Sequence, residues 1–406
     1  MRIVLRLLLL LTGLAALAAA IAVPILVKAA EPLPAMQLDP EGTSVSGLSS
    51  GAYMAVQVHV ANSESLIGAG VVAGGPYFCA EGLLATALNR CMQTTLGAPD
   101  AAALLARAEA FAAAGQIDPL AGLTDDRVYL FSGTEDPTVT QPVMQAARDF
   151  YRDAGVAEQS IKFIGDKPAG HAFVVEEASN ACGVTNSPFI NDCDYDQAGD
   201  ILQHLYGELA APTETDASRL LTFDQAEFLA DPESHGMAAE GFVYIPAACE
   251  EGEPCRLHIA FAGCKQTPEH IGDLYARTTG YNRWAESNRL VILYPQSSTS
   301  PGNPNGCWDW WGYDDAAYHT KAGRQMAAIA KMAARLGVPF GQAEPPDFCL
   351  EHEDWNWRHW QEGRAEICGF ASVCAVGTGD LVGLFAGFSS LYESPQGNFT
   401  TTACAP

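Results

Sequence analysis

The sequence predicts an α/β protein built on a mainly parallel sheet, and three observations carry that expectation. Short apolar runs ended by glycine or proline alternate with helical stretches along most of the chain. Val45-Ser46-Gly47-Leu48-Ser49-Ser50-Gly51 contains a Gly-x-Ser-x-Gly turn, in which a strand ends on a serine corner and a helix begins at once. An aspartate and then a histidine follow in loops after later strands, in the order that such a turn requires of its partners.

The elements follow in sequence. After the Ser49 corner, Ala52 to Ser63 reads as a helix with small residues toward the sheet. Leu66 to Gly75 is an apolar run closed by glycines, the pattern of a buried parallel strand. Asp100 to Ala114 is an Ala-rich helix, Arg127 to Gly133 a strand, Gln141 to Ala154 a helix and Ser160 to Ile164 a further strand leading to Gly170-His171. Residues 208–240, rich in Ala, Pro, Thr, Asp and Glu, read as a connecting surface segment. A second α/β block follows, with strands at Gly241 to Pro246, Leu257 to Ala262 and Leu290 to Pro295 and a helix near Ala276 to Asn288. Lys321 to Leu336 is an amphipathic helix stopped by Gly337 and Pro339. The tail after Gly341 shows no clear helix.

The bulk composition narrows the function. The 406 residues are 48% hydrophobic and 17% charged, enough for a large core. Lys+Arg 22 against Asp+Glu 48 gives a net charge of -26, which repels phosphate backbones and argues against nucleic-acid binding. Arg2 and Arg6 precede the apolar run Leu7 to Val27, and Ala29-Ala30 offers a cleavage site, so residues 1–30 are expected to be a secretory signal peptide. An uncleaved membrane anchor is the alternative. Twelve cysteines, all after this leader, imply a disulfide framework in an exported chain. Sequence proximity suggests Cys79–Cys91, Cys182–Cys193 and Cys249–Cys255, then Cys264–Cys307, with Cys349, Cys368, Cys374 and Cys404 pairing among themselves. The absence of Cys-x-x-Cys and His-Glu-x-x-His makes a zinc site a weak reading, and no metal or cofactor is expected.

The chemistry rests on three residues. A serine nucleophile needs a base in contact and an acid that holds the base. Asp136 lies in Gly133-Thr134-Glu135-Asp136 at the end of the Arg127 strand, where the acid belongs, with Glu135 and Asp126 as rivals. His171 follows the next strand in Gly170-His171-Ala172-Phe173. Taken singly, Ser49 reads equally as a turn serine, Asp136 as a helix N-cap and His171 as a core histidine. Their occurrence after successive strands, in the required order, favours a catalytic set Ser49, Asp136 and His171.

One part stands out of place. The second oxyanion donor normally precedes the nucleophile in sequence, yet only Leu38 to Ser46 separates the leader from the corner. The candidate lies downstream, where the Leu257 strand runs into Gly263-Cys264. A parallel sheet is indifferent to which connection is cut, provided the ends are close. The order therefore predicts a circularly permuted α/β-hydrolase fold, with residues 241–336 supplying the strands that ordinarily come first and residues 208–240 containing the join.

These motifs, together with Ala73-Gly74-Gly75-Pro76-Tyr77, Gly263-Cys264-Lys265-Gln266 and Gly306-Cys307-Trp308-Asp309-Trp310, resemble extracellular short-chain-length polyhydroxyalkanoate depolymerases of the circularly permuted class. The resemblance covers about residues 40–340. It implies the triad Ser49, Asp136, His171, an oxyanion hole from the N–H groups of Ser50 and Cys264, and a Cys264–Cys307 disulfide. Trp308, Trp310 and Tyr53 are the candidate substrate-binding residues, and Trp308, beside Cys307, is the favoured one. The chain departs from the family pattern at Ala262, where a histidine two before the cysteine is usual. That leaves the backbone donor intact and puts loop shape and substrate preference in question.

The expected organisation is a signal peptide at 1–30, a catalytic domain at 31–340 and a small Cys/Trp-rich accessory module at 341–406. The expected function is a secreted, monomeric serine esterase acting on a short-chain polyester such as polyhydroxybutyrate, with no stable membrane partner. A feruloyl or acetyl-xylan type polysaccharide esterase is the enzymatic alternative, and a non-catalytic polymer-binding protein is the alternative of another class.

Overall fold

The computed structural model describes residues 30–340 and most of 350–400, with gaps at 362–363, 370–371, 377–380, 385 and 394–398. Residues 1–29 of the expected leader, Cys349 and Cys404 lie outside the described residues. Among the described residues no helix is long and apolar enough to cross a membrane.

The strands are β1 (Asp39–Leu48), β2 (Gly68–Val72), β3 (Arg127–Phe131) and β4 (Ile161–Ile164), then the short β5 (Phe173–Val175), β6 (Asn180–Ala181) and β7 (Ile190–Asp192), and finally β8 (Leu220–Asp224), β9 (Glu240–Tyr244), β10 (Arg256–Phe261) and β11 (Leu290–Tyr294). Eight of them form one sheet in the order β4-β3-β2-β1-β10-β11-β9-β8. All neighbours are parallel except β9, which runs against both β11 and β8. The main helices are α1 (Ser50–Ala61), α2 (Ala101–Ala113), α3 (Gln141–Asp153), α4 (Gln197–Tyr206), α5 (Tyr281–Asn288) and α6 (Arg324–Arg335).

Strand residues alternate between two cores, as the two-residue period of a strand demands. Val128, Leu130, Leu257, Ile259 and Phe261 join the cluster under α1, α2, α3 and α6. Tyr129, Phe131, Ala260, Ile292 and Tyr294 join the cluster under α4 and α5. Both faces are therefore covered, and α1, buried along its whole length, lies against the sheet centre. Local signals place the helices. Asp100 caps α2 by accepting the Ala103 N–H at 3.1 Å, and Asp196 caps α4 by accepting the Gly199 N–H at 2.9 Å.

The topology is that of a circularly permuted α/β-hydrolase. The segment before β1 lies beside the end of α6: Met36 donates to the Arg335 carbonyl at 3.2 Å and Leu38 to that of Leu336 at 3.0 Å. Gly337 (φ 92) lets the chains touch, since a Cβ there would sit 2.8 Å from the Gln37 Cα. An unpermuted chain would run from α6 straight into β1. The compensating join runs from α4 to β8, within residues 207–219.

Two expectations need correction. Residues 208–240 are not only a connection, because they contain β8, an edge strand whose Leu220-Leu221-Thr222-Phe223-Asp224 is masked by its polar flanks. The tail contains a short helix, Asn356–Gln361, among six short strands forming two antiparallel three-stranded sheets. Its core holds Val373, Ala375 and Leu391. Among the described residues five disulfides are present: Cys79–Cys91, Cys182–Cys193, Cys249–Cys255, Cys264–Cys307 and Cys368–Cys374.

A buried polar chain stitches β1 to β10. Ser44 Oγ donates to Tyr206 Oη at 2.7 Å, and Tyr206 donates on to the Leu257 carbonyl at 3.0 Å. The Ser44 proton is thereby used, so its contact with His258 Nδ1 at 2.7 Å has the imidazole donating. His258 Nε2 then accepts from Ser46 Oγ at 2.7 Å, and Ser46 accepts from Tyr281 Oη at 2.6 Å. Every proton runs one way, which fixes a neutral Nδ1–H imidazole. Burial pushes the His258 pKa down to about 3, in keeping with that state. The unfolded chain has a histidine pKa of about 6.5 and takes up a proton that folding expels, so this contribution to stability is full above about pH 6.5 and is lost as pH falls toward 3. Urea unfolding of His258→Gln should show a shallower dependence of stability on pH between about pH 6 and 4, by up to about 1.4 kcal/mol per pH unit. An unaltered slope would contradict the buried neutral imidazole.

Candidate active site

The site is built at the carboxyl ends of the central strands, where a parallel sheet gathers the loops that follow it. Ser49 sits between β1 and α1 with φ 58 and ψ -121, a left-handed conformation that costs a non-glycine residue about 1–2 kcal/mol. Its neighbours explain how the corner is tolerated. A Cβ on Gly47 would lie 2.2 Å from the Gly51 carbonyl oxygen, and one on Gly51 would lie 2.4 Å from that of Phe261. The Ser49 N–H donates to the Val72 carbonyl at 2.9 Å, tying the corner to the end of β2.

Three of the predicted residues meet there. His171 Nε2 lies 2.8 Å from Ser49 Oγ, and His171 Nδ1 lies 2.7 Å from Asp136 Oδ2. The other Asp136 oxygen accepts the N–H groups of Thr138 at 2.7 Å and Val139 at 3.0 Å. With an ionised Asp136 accepting from Nδ1–H, the Nε2 lone pair faces the serine hydroxyl. The Asp136 side chain is 1% exposed and that of His171 8%, so water competes little for these bonds. The rivals for the acid lie elsewhere: Glu135 is exposed, and Asp126 is bonded to His59 at 2.9 Å beneath α1.

The loops behind this trio are packed tightly. A Cβ on Gly133 would come within 2.1 Å of the Ala169 carbonyl oxygen, so the aspartate turn and the histidine loop touch. The small β5-β7-β6 sheet follows His171, whose N–H donates to Thr185 Oγ1 at 2.8 Å. The Cys182–Cys193 disulfide closes that unit. The sequence reading missed this sheet because its strands are only two or three residues long.

The predicted oxyanion donors also converge. Ser50 opens α1, whose first N–H groups have no intrahelical acceptor and whose positive dipole end faces the site. A Cβ on Gly263 would sit 3.2 Å from Ser49 Cβ, which puts the loop after β10 beside the serine. Among the described residues, neither the Ser50 nor the Cys264 N–H has an acceptor. Gln266, missed in the sequence, shapes this loop. It is fully buried, accepts the Gly263 N–H at 2.7 Å and donates to the Pro188 carbonyl at 2.8 Å.

Ser49 and His171 line a cleft of about 640 Å³. One wall is aromatic: Tyr53 stacks on Trp310 with centroids 4.0 Å apart and an interplanar angle of 8°, and Trp311 meets Trp310 edge-on at 5.5 Å. Leu84, Leu88 and Phe189 add apolar surface. Trp308 is placed differently from the expectation. It is fully buried, donates its indole N–H to the Ala262 carbonyl at 3.0 Å and does not line the cleft, whereas Trp310 and Trp311 do. Its ring fills the space below the loop after β10, edge-on to Phe261.

Asp309 holds the aromatic loop. Oδ1 accepts the N–H groups of Gly312 and Tyr313 at 2.7 and 3.0 Å, and Oδ2 those of Asp314 and Asp315 at 3.2 and 3.1 Å. Burial outweighs the lowering pull of these four donors and leaves its carboxyl raised to about 6. An aspartate three residues before glycine was the available signal for such a side-chain turn.

No family model matches the chain. The poly(3-hydroxybutyrate) depolymerase of Delftia acidovorans is 46% identical over 326 residues, covering 79% of this chain. The chain spans 65% of that relative's length. The polyhydroxybutyrate depolymerase of Talaromyces funiculosus is 36% identical over 329 residues, covering 76% of this chain and 93% of that protein. A PHB depolymerase with a serine-to-alanine replacement, complexed with R3HB trimer, superposes with a TM-score of 0.70 at 34% identity, over 75% of this chain and 98% of that one. The crystal structure of PHB depolymerase from Penicillium funiculosum gives 0.69 at 34% identity, with the same coverage. With 36% identity across nearly the whole of a relative and a shared permuted fold, the chain belongs to the polyhydroxybutyrate depolymerase family.

Proposed function

We propose that the chain is an exported serine esterase that hydrolyses short-chain polyhydroxyalkanoate, poly-3-hydroxybutyrate in the first instance. The observation that carries this reading is the unbroken contact Ser49 Oγ to His171 to Asp136 at the floor of an apolar cleft. The relatives' names and the R3HB trimer bound by one of them support the substrate class.

In this reading Ser49 attacks an ester carbonyl as His171 Nε2 takes its proton, and Asp136 holds the imidazole in the required tautomer. Charge collects on the carbonyl oxygen, and the N–H groups of Ser50 and Cys264 bind it, each contributing about 3–4 kcal/mol to the transition state. The alcohol half leaves with the proton from His171, and water activated by the same base then cleaves the acyl-enzyme. The aromatic wall of Tyr53, Trp310 and Trp311 packs on the polyester's methyl-bearing backbone.

Residues 1–30 act as the export signal in this reading, and the disulfides fit the compartment it leads to. Residues 31–340 form the catalytic domain, and 341–406 form an accessory module that adsorbs to solid polymer through the exposed Trp355, Trp357 and Trp360.

Two measurements test these roles. Ser49→Ala should lower hydrolysis of R-3-hydroxybutyrate trimer by about 10⁴-fold or more while circular dichroism and urea unfolding stay at wild-type values. Retained turnover would reject Ser49 as nucleophile, and release of ferulate or acetate from xylan in place of trimer cleavage would reject the polyester. Deleting residues 345–406 should reduce adsorption to polyhydroxybutyrate granules and spare hydrolysis of the soluble trimer. Unchanged adsorption would reject the module's role.

A further inference from the structure

We propose that Lys265 recognises the free carboxylate end of the polyester chain, so that the cleft takes acid-terminated oligomers in preference to chains capped at that end. The inference rests on the esterase reading of the cleft and names the substrate form it favours.

Charge is the first observation. Among the described residues that line the cleft, Lys265 is the one lysine, and none is Arg, Asp or Glu. This occurs in a chain of net charge -26, whose overall field opposes an approaching carboxylate. A cation set among apolar and amide groups is the local feature that offsets the opposition.

Placement is the second. Lys265 is one residue beyond Cys264, the proposed oxyanion donor. Its backbone is pinned on both sides: Cys264 is bridged to Cys307, Gln266 is buried, and the Lys265 N–H donates to the Asn305 carbonyl at 2.7 Å. It adopts φ 61, a left-handed conformation that side chains other than glycine, asparagine or aspartate seldom adopt. The residue itself is exposed and forms no ion pair among the described residues. A fixed Cα at the cleft rim with an unpaired, flexible ammonium suits a carboxylate that arrives with the ligand.

The reaction supplies such a ligand. Attack by Ser49 leaves the acyl half, which carries the hydroxyl end of the chain, on the serine. The alcohol half takes the His171 proton and departs with the carboxyl end. Water then releases the acyl half as a new carboxylic acid, ionised at neutral pH. Each cut therefore yields acid-terminated chains, which are the substrates of the next cut.

The test compares R-3-hydroxybutyrate trimer as free acid and as methyl ester, using the full chain as wild type, Lys265→Met and Lys265→Glu. The readout is the ratio of kcat/KM for acid over ester, which is independent of how much enzyme is folded. Methionine keeps most of the apolar stem and removes the charge. The ratio should fall about three- to fivefold in Lys265→Met, the range for a solvent-exposed ion pair, and further in Lys265→Glu. The wild-type ratio should also fall in about 0.5 M NaCl. Equal ratios in wild type and Lys265→Met would overturn the assignment while leaving the esterase reading intact. Cleavage of neither trimer by the wild type would overturn both.

Discussion

The left-handed corner at Ser49 is the constraint on which the rest of this structure depends. It holds a non-glycine residue at φ 58 between the central strand and a fully buried helix. Such a corner persists only where its surroundings over-determine it. Here they do so by close approach. Gly47 and Gly51 bring the turn against itself and against the end of β10, where no side chain fits. The same contact sets the loop after β10 beside the serine, so the geometry of the corner and the placement of the Cys264 N–H have one cause.

Circular permutation leaves that geometry untouched. What a parallel sheet needs is the lateral order of its strands and the alignment of their carboxyl ends, not the route of the chain. The ends produced by the cut remain hydrogen-bonded at Met36 and Leu38 to the carbonyls closing α6. β1 and β10, far apart in sequence, are bound by strand pairing and by the one-way chain through Ser44, His258 and Ser46. Because Ser44 and Ser46 lie five and three positions before Ser49, their register against β10 carries directly to the corner. The Cys264–Cys307 bridge then ties the loop after β10 to the aromatic loop, whose backbone Asp309 gathers through four N–H bonds.

The parts legible in the sequence were those with a local signature or an enforced order. Ser49, Asp136 and His171 could be named because a glycine-flanked serine, an aspartate turn and a histidine loop follow successive strands. Cys79–Cys91, Cys182–Cys193 and Cys249–Cys255 could be named because separations of 12, 11 and 6 residues leave little choice, whereas Cys264–Cys307, 43 apart, leaned also on the family resemblance. Permutation was legible because Ser49 comes before enough chain has passed to build a sheet. The missed parts lack such marks. β8 is five residues long, with β9 on one side and a single bridge from Phe223 to Glu31 on the other, and β5, β6 and β7 are shorter still. The direction of a side chain is also invisible in a linear motif. Trp308 and Trp310 sit two residues apart, yet the first fills the space under a loop and the second forms the cleft wall. Gln266 and His258 each bond to partners distant in sequence, Pro188 for the one and Ser44 and Ser46 for the other.

Hydrolysis as proposed requires Ser49 to be the residue that bonds covalently to substrate. The most direct measurement is reaction of the full chain with a fluorophosphonate, followed by intact mass and peptide mapping. One adduct per chain, located at Ser49 and forming in step with loss of trimer hydrolysis, is the predicted result. Modification at another residue, or loss of no activity on complete modification of Ser49, would contradict it.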